Sequence, residues 1–265
     1  MITSAANPRV KEVLRLRKRR ARDAAGQFVV EGRREVDRAL AAGVTVDVVF
    51  HCPALFGPGQ EALAAGGDGP EVVEVSRPVF ERLSYREGPD GVLAVARAFP
   101  TGLDRLDPGP RPLVLVVAEV EKPGNLGAML RTAAAAGVSA VFVADPVTDL
   151  FNPNVVRASQ GALFGRPVAV AGADEAVAWL RAAGVPIYAA GPRADRSYWD
   201  LPLTEPAAVV VGAEHRGLPD MWFAAADAGL RIPMPGTVGV DSLNAATAAA
   251  VVLFEAVRQR AAAGA

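Results

Sequence analysis

From Leu113 onward, short runs of uninterrupted apolar residues alternate with longer segments of helical period, and this alternation limits the fold more than any other feature. The runs are LVLVVAEV, AVFVAD, PVAVA, PIYAAG, AAVVVG and LRIPM. A strand with one wet face alternates apolar and polar residues, whereas a strand apolar at every position is buried on both faces. The intervening segments predict helices over 125–136, 153–164, 174–183, 219–226 and 242–262. The region therefore reads as α/β, a parallel sheet covered by helices on both sides.

Ligands on such a sheet collect at the carboxyl ends of its strands, so the strand-to-helix loops are where chemistry is expected. Three of them are unusual. The first is PGNLGAMLR, in which Asn125 stands between Gly124 and Gly127 and Arg131 follows among small residues. Its glycines resemble a phosphate cradle, but neither the GxGxxG spacing nor the Lys-Ser/Thr of a P-loop is present. Asn125 is either a helix cap or a site residue. The second loop, VVVGAEHRGL, sets Glu214 and His215 between Gly212 and Gly217. It is either a plain turn or a place where backbone approaches a ligand and a carboxylate accepts from it. The third, IPMPGTVGVDSLNAATAAAVVLFEAV, places Ser242 as the expected cap of the last helix and Asn244 in its first turn. Leu243, Ala246, Ala250, Phe254 and Val257 are the expected buried stripe of that helix.

The first hundred residues read as a smaller α/β unit, with strands QFVVEG, VDVVFHC, EVVEVS and GVLAVARAF and helices after Gly32 and Pro78. Residues 100–112 hold four prolines and two glycines and read as a linker. The expected organisation is thus 1–100, a linker over 101–112, and a second domain over 113–265. Near the N-terminus Val10, Val13 and Leu14 recur at helical spacing while Lys11, Arg15, Lys18, Arg19 and Arg22 fall on another side. This predicts one amphipathic helix with a basic stripe, suited to the phosphates of a nucleic acid although the net charge of the chain is −1.

The single cysteine, Cys52, excludes an intrachain disulfide framework, and two histidines supply no metal-ligand cluster of usual spacing, so no metal is expected. No apolar run is long enough to span a bilayer and no signal-like apolar region precedes the basic start, which points to a cytoplasmic protein without a membrane partner.

Taken in order, the three loops resemble the signature motifs of the SpoU/TrmH family, the SPOUT-class RNA ribose 2′-O-methyltransferases: N125-L-G-A-M-L-R131-T-A-A-A-A-G137, G212-A-E214-H-R-G-L, and I232-P-M-P-G with S242-L-N244. Ala245 departs from the valine more usual after that asparagine. The resemblance implies a SPOUT α/β-knot, a parallel sheet with a deep trefoil knot, preceded by an L30e-like RNA-binding domain. It implies S-adenosylmethionine as cofactor, held by Gly212, Ala213, Glu214, Gly217, Ile232, Met234, Gly236, Ser242, Leu243, Asn244 and Ala245. It implies a homodimer acting on structured RNA, with 23S ribosomal RNA expected, transfer RNA second, and a non-catalytic RNA-binding or ribosome-assembly protein as the alternative of another class.

By the same resemblance Asn125, Arg131, Glu214, Ser242 and Asn244 form the catalytic set, with Arg131 as the group that activates the hydroxyl. Arginine is too basic to give up its proton at physiological pH at small cost. The expectation is therefore a cation that grips the adjacent RNA phosphate and stabilises charge growing on the ribose oxygen.

Overall fold

The computed structural model describes residues 1–60, 69–213, 215–236 and 242–264. They form two units, one of Met1–Pro100 with Asp149–Gly165, the other of Thr101–Thr148 with Arg166–Ala265. The second unit therefore does not own everything after residue 113: a segment in its middle belongs to the first.

The first unit contains α1 (Pro8–Arg15), α2 (Arg19–Ala25), β1 (Gln27–Glu31), α3 (Arg33–Ala41), β2 (Val46–His51), β3 (Glu71–Glu74), α4 (Arg77–Leu83) and β4 (Val92–Arg97). Its sheet has the order β1-β4-β2-β3, with β4 antiparallel to both neighbours and β3 parallel to β2. One face packs Val29, Phe50, Leu93 and Val95 against Val10, Val13, Leu16, Phe80 and Leu83. The expected single basic helix is two helices. Leu16 is buried in this core, the chain turns at Arg17 and Lys18, and the helical phase is lost between α1 and α2.

The second unit contains β5 (Leu113–Ala118), α5 (Pro123–Ala135) and β6 (Ala140–Ala144). Next in the chain comes α6 (Pro153–Ser159), which packs with the first unit, ending where Gln160 and Gly161 both take left-handed φ (52° and 83°). Phe28 of β1 meets Phe151 and Phe99 meets Phe151, ring centroids 4.8 and 5.0 Å apart, which is why this segment leaves the unit that precedes and follows it. The chain then returns for β7 (Val168–Ala171), α7 (Ala173–Ala182), β8 (Ile187–Ala190), β9 (Arg196–Ser197), β10 (Ala207–Val211), α8 (Asp220–Ala225), β11 (Ala228–Arg231) and α9 (Ala245–Ala262).

The larger sheet has the order β7-β6-β5-β10-β8-β11-β9 and is parallel throughout. Every residue of β5, β6 and β10 is buried, as their continuous apolar runs require. Val114, Val116, Phe142, Val210 and Ile187 pack with Leu180 and Trp222 on one face. Alternation leaves Leu115, Val117 and Val209 for the other face. The expected linker is part of this unit. Leu103 and Leu106 pack on the core, Val170 donates to the Thr101 carbonyl at 2.8 Å, and the Arg260 guanidinium donates to the carbonyls of Arg111 (3.0 Å) and Pro112 (3.2 Å).

Candidate active site

The chain lays β5, β6 and β7 outward in one direction and then crosses to the other side of β5, so the order reverses between β5 and β10. Crevices beyond the carboxyl ends of strands at such a reversal are where open parallel sheets bind ligands. The three unusual loops follow β5, β10 and β11, all on that edge.

The β5 loop enters α5 with Lys122 as N-cap and Pro123 as the first helical residue, where a missing N–H costs nothing. Asn125 is therefore not the cap: it lies one turn inside, with its N–H on the Lys122 carbonyl at 3.0 Å. At the other end of the site the cap of α9 is Asn244 and not Ser242. The Asn244 Oδ1 accepts from the N–H groups of Ala246 (3.0 Å) and Thr247 (3.3 Å), and the helix begins at Ala245. Since that oxygen is committed to the backbone, the Asn244 amide nitrogen faces outward, and it donates to Asn125 Oδ1 at 3.2 Å. One side chain thus both starts the last helix and orients the first motif.

Arg131 is exposed and its side chain makes no hydrogen bond or ion pair with a described residue. It lies seven residues beyond Gly124 and three beyond Ala128, on one face of α5, and helical side chains lean toward the N-terminus. That places its Cβ beside small residues and tilted toward the N-terminal end of α5, the end at the carboxyl edge of the sheet. The β10 loop turns back on itself: the N–H of Gly217 meets the Ala213 carbonyl at 3.0 Å, and a Cβ on Gly212 would stand 2.4 Å from the Gly217 carbonyl oxygen. Only glycine fits at 212. Gly212 and Ala213 are buried, Gly217 is exposed, and Glu214 lies outside the described residues. After β11, Ile232, Met234 and Gly236 leave the sheet as an extended run broken by Pro233 and Pro235, half-buried as far as Met234. Ser242, Leu243 and Asn244 are exposed and Ala245 is buried.

The proposed RNA-contact residues divide. Lys11, Arg15, Lys18 and Arg19 are exposed. Arg22 is 4% exposed, with Nε 2.8 Å from Asp149 Oδ2 and Nη1 on the Leu16 and Arg17 carbonyls at 2.8 and 3.1 Å. It is an internal tie and not a surface cation. Among the described residues no group of three or more His, Cys, Asp or Glu side chains is placed to hold a metal, and no helix is long and apolar enough to cross a membrane.

A parallel sheet with its polar motifs at the switch point and no phosphate loop has the architecture of the SPOUT-fold RNA methylases, whose solved members share it over nearly the whole chain. Residues 112–254 match the SpoU rRNA Methylase family and residues 7–94 match the MRM3-like substrate binding domain. The chain belongs to the SpoU rRNA methylase family. It is 33% identical over 255 residues to the 23S rRNA (uridine(2479)-2′-O)-methyltransferase of Streptomyces viridochromogenes, covering 91% of this chain and 86% of that one. It is 30% identical over 254 residues to the 23S rRNA (guanosine(2553)-2′-O)-methyltransferase RlmP of Bacillus subtilis, covering 96% and 97%. The AdoMet-bound rRNA methyltransferase from Sinorhizobium meliloti superposes with a TM-score of 0.87 at 32% identity, covering 97% of each chain.

Proposed function

We propose that this protein transfers a methyl group from S-adenosylmethionine to a ribose 2′-hydroxyl of 23S ribosomal RNA. The observation that carries the reading is the Asn244–Asn125 hydrogen bond, which joins the third motif to the first at the sheet's switch point. Relatives similar over the whole chain are named as 23S rRNA 2′-O-methyltransferases, which favours this substrate over transfer RNA and over a non-catalytic role. One of them is named for a uridine and the other for a guanosine, so the base beside the target ribose is not inherited from the family.

The donor set fits the cofactor. S-adenosylmethionine carries no phosphate, and the loops here offer backbone amides and neutral side chains where a nucleotide-phosphate site would offer a P-loop lysine. Gly212, Ala213, Gly217, Ile232, Met234, Gly236, Ser242, Leu243, Asn244 and Ala245 would hold it, together with Glu214. Bound there, it supplies an electrophilic methyl on a sulfonium. Asn125 and Asn244 fix the target nucleotide by donor–acceptor pairing. Arg131 grips the adjacent phosphate through its planar fork and stabilises the charge that grows on the 2′-oxygen, while the proton leaves to phosphate or water. Ala128 and Gly124 leave space for a guanidinium on that side of α5, and a methyl on Gly124 would meet no described atom within 4 Å, so packing among the described residues does not demand that glycine.

The first unit docks the RNA, with Lys11, Arg15, Lys18 and Arg19 as phosphate contacts. A homodimer through α9 completes the reading. Val251 and Phe254 share one side of that helix with Thr247 and Arg258, Phe254 is 49% exposed, and Trp199, 48% exposed, accepts through its carbonyl from Gln259 of the same helix. A helix apolar on its outer side as well as its inner side is one that a partner covers. The knot expected of the family belongs to this proposal too.

Mapping 2′-O-methylation across 23S rRNA from cells with and without the gene tests the function. One ribose methyl lost with the gene and restored by it supports the reading, and identical maps overturn it.

A further inference from the structure

Two adjacent strands of the second unit end in left-handed residues that are not glycine, Glu119 after β5 (φ 52°) and Asp145 after β6 (φ 44°). Such backbone persists where surrounding bonds over-determine it, and it clusters at functional sites. The N–H of Glu119 meets the Ala144 carbonyl and that of Asp145 the Ala171 carbonyl, both at 3.0 Å. A few residues further on, the two loops are joined: the hydroxyl of Thr148, 6% exposed, donates to the Glu121 carbonyl. Glu121 precedes Lys122, whose carbonyl receives the N–H groups of Asn125 (3.0 Å) and Leu126 (3.2 Å) in the first turn of α5. Holding the Glu121–Lys122 peptide therefore sets the direction in which α5 starts, and with it the side chain of Asn125.

We propose that Thr148 is a positioning residue, whose hydroxyl holds the Glu121–Lys122 peptide so that Asn125 meets Asn244. The kinetic part of this inference rests on the methyl-transfer reading; the structural part does not.

The test uses the full chain and two readouts. Hydrogen exchange follows the amides of residues 120–126, and steady-state kinetics on undermodified 23S rRNA separate kcat from KM, with calorimetry for S-adenosylmethionine. Thr148→Val, which keeps the shape and removes the donor, speeds exchange of that segment about tenfold and lowers kcat by a similar factor, the scale of one hydrogen bond. KM for RNA and the cofactor Kd stay within about twofold in the same variant. Thr148→Ala behaves alike, and Thr148→Ser restores both readouts. Exchange and kcat unchanged in the valine and alanine chains, or no rescue by serine, overturns the role of Thr148. A wild-type chain that transfers no methyl overturns the function, and the exchange comparison still decides Thr148.

Discussion

Asn244 performs two tasks with opposite ends of one amide, and Asn244→Asp separates them. Its oxygen accepts from the N–H groups of Ala246 and Thr247, and its nitrogen donates to Asn125. Aspartate keeps the cap, and a carboxylate at a helix N-terminus interacts favourably with the helix dipole by about 0.3–1 kcal/mol. Facing Asn125 it presents an oxygen to an oxygen at 3.2 Å, so the Asn125 amide must turn over to pair with it. Alanine loses both contacts, about 1 kcal/mol for the cap and about 0.5–1 kcal/mol for an exposed neutral hydrogen bond. Urea denaturation is therefore expected to place Asn244→Asp within about 0.5 kcal/mol of the wild type, as for a surface change away from such features, and Asn244→Ala about 1–2 kcal/mol below it. Methyl transfer falls in both, by about 10- to 100-fold if the orientation of Asn125 contributes one to two factors of ten to the transition state. Near-normal turnover by the aspartate chain would refute the claim that this contact orients the first motif. A stability loss equal to that of the alanine chain would refute the assignment of Asn244 as the cap.

Other expectations follow from the same geometry. Arg131→Lys keeps the charge and loses the planar fork, so turnover should drop sharply while calorimetry shows cofactor affinity unchanged, and stability should stay within about 0.5 kcal/mol because the side chain is exposed. Reversing Lys18 and Arg19 to Glu should weaken RNA binding and flatten its dependence on salt, read by filter binding across a salt series; an unchanged slope rejects that surface. His51 is 9% exposed, its Nδ1 has no hydrogen-bond partner among the described residues, and burial lowers its pKa from 6.5 against the opposing pull of Glu74. The unfolded chain then takes up a proton near pH 6.5 that the folded chain accepts only at lower pH, so stability is full above that range and falls as the pH drops through the folded pKa. Denaturation midpoints at pH 8 and pH 5.5 should show that loss, and His51→Phe should reduce it.

The strands of the second unit were legible because burial on both faces writes itself as unbroken apolar runs, and β5, β6 and β10 lie where those runs do. The loops that matter were legible from their glycines and polar residues, since strand ends on a parallel sheet share one edge. The starts of the two helices that carry the first and third motifs were not, whereas α3 and α6 begin at Arg33 and Pro153 as expected. A cap is chosen by where the chain turns, and the residues nominated for it, Asn125 and Ser242, lie one turn too late and two residues too early. The inner face of α9 was assigned to the wrong side, because Ala and Val surround that helix and leave no period to read: Ala249, Val252, Leu253 and Ala256 are buried while Phe254 is exposed. Arg22 looked like a phosphate contact because its partner, Asp149, is 127 residues away. The role of Thr148 had no signature at all, as a loop threonine shows its burial and its carbonyl partner only in three dimensions.

The most direct measurement is incorporation of labelled methyl from S-adenosylmethionine by the purified protein into undermodified 23S rRNA, followed by digestion to nucleosides. The account predicts label in a single 2′-O-methylnucleoside, lowered about 10- to 100-fold by Asn244→Asp and sharply by Arg131→Lys. Label on a base, or none taken up from a preparation that binds the cofactor, would contradict it.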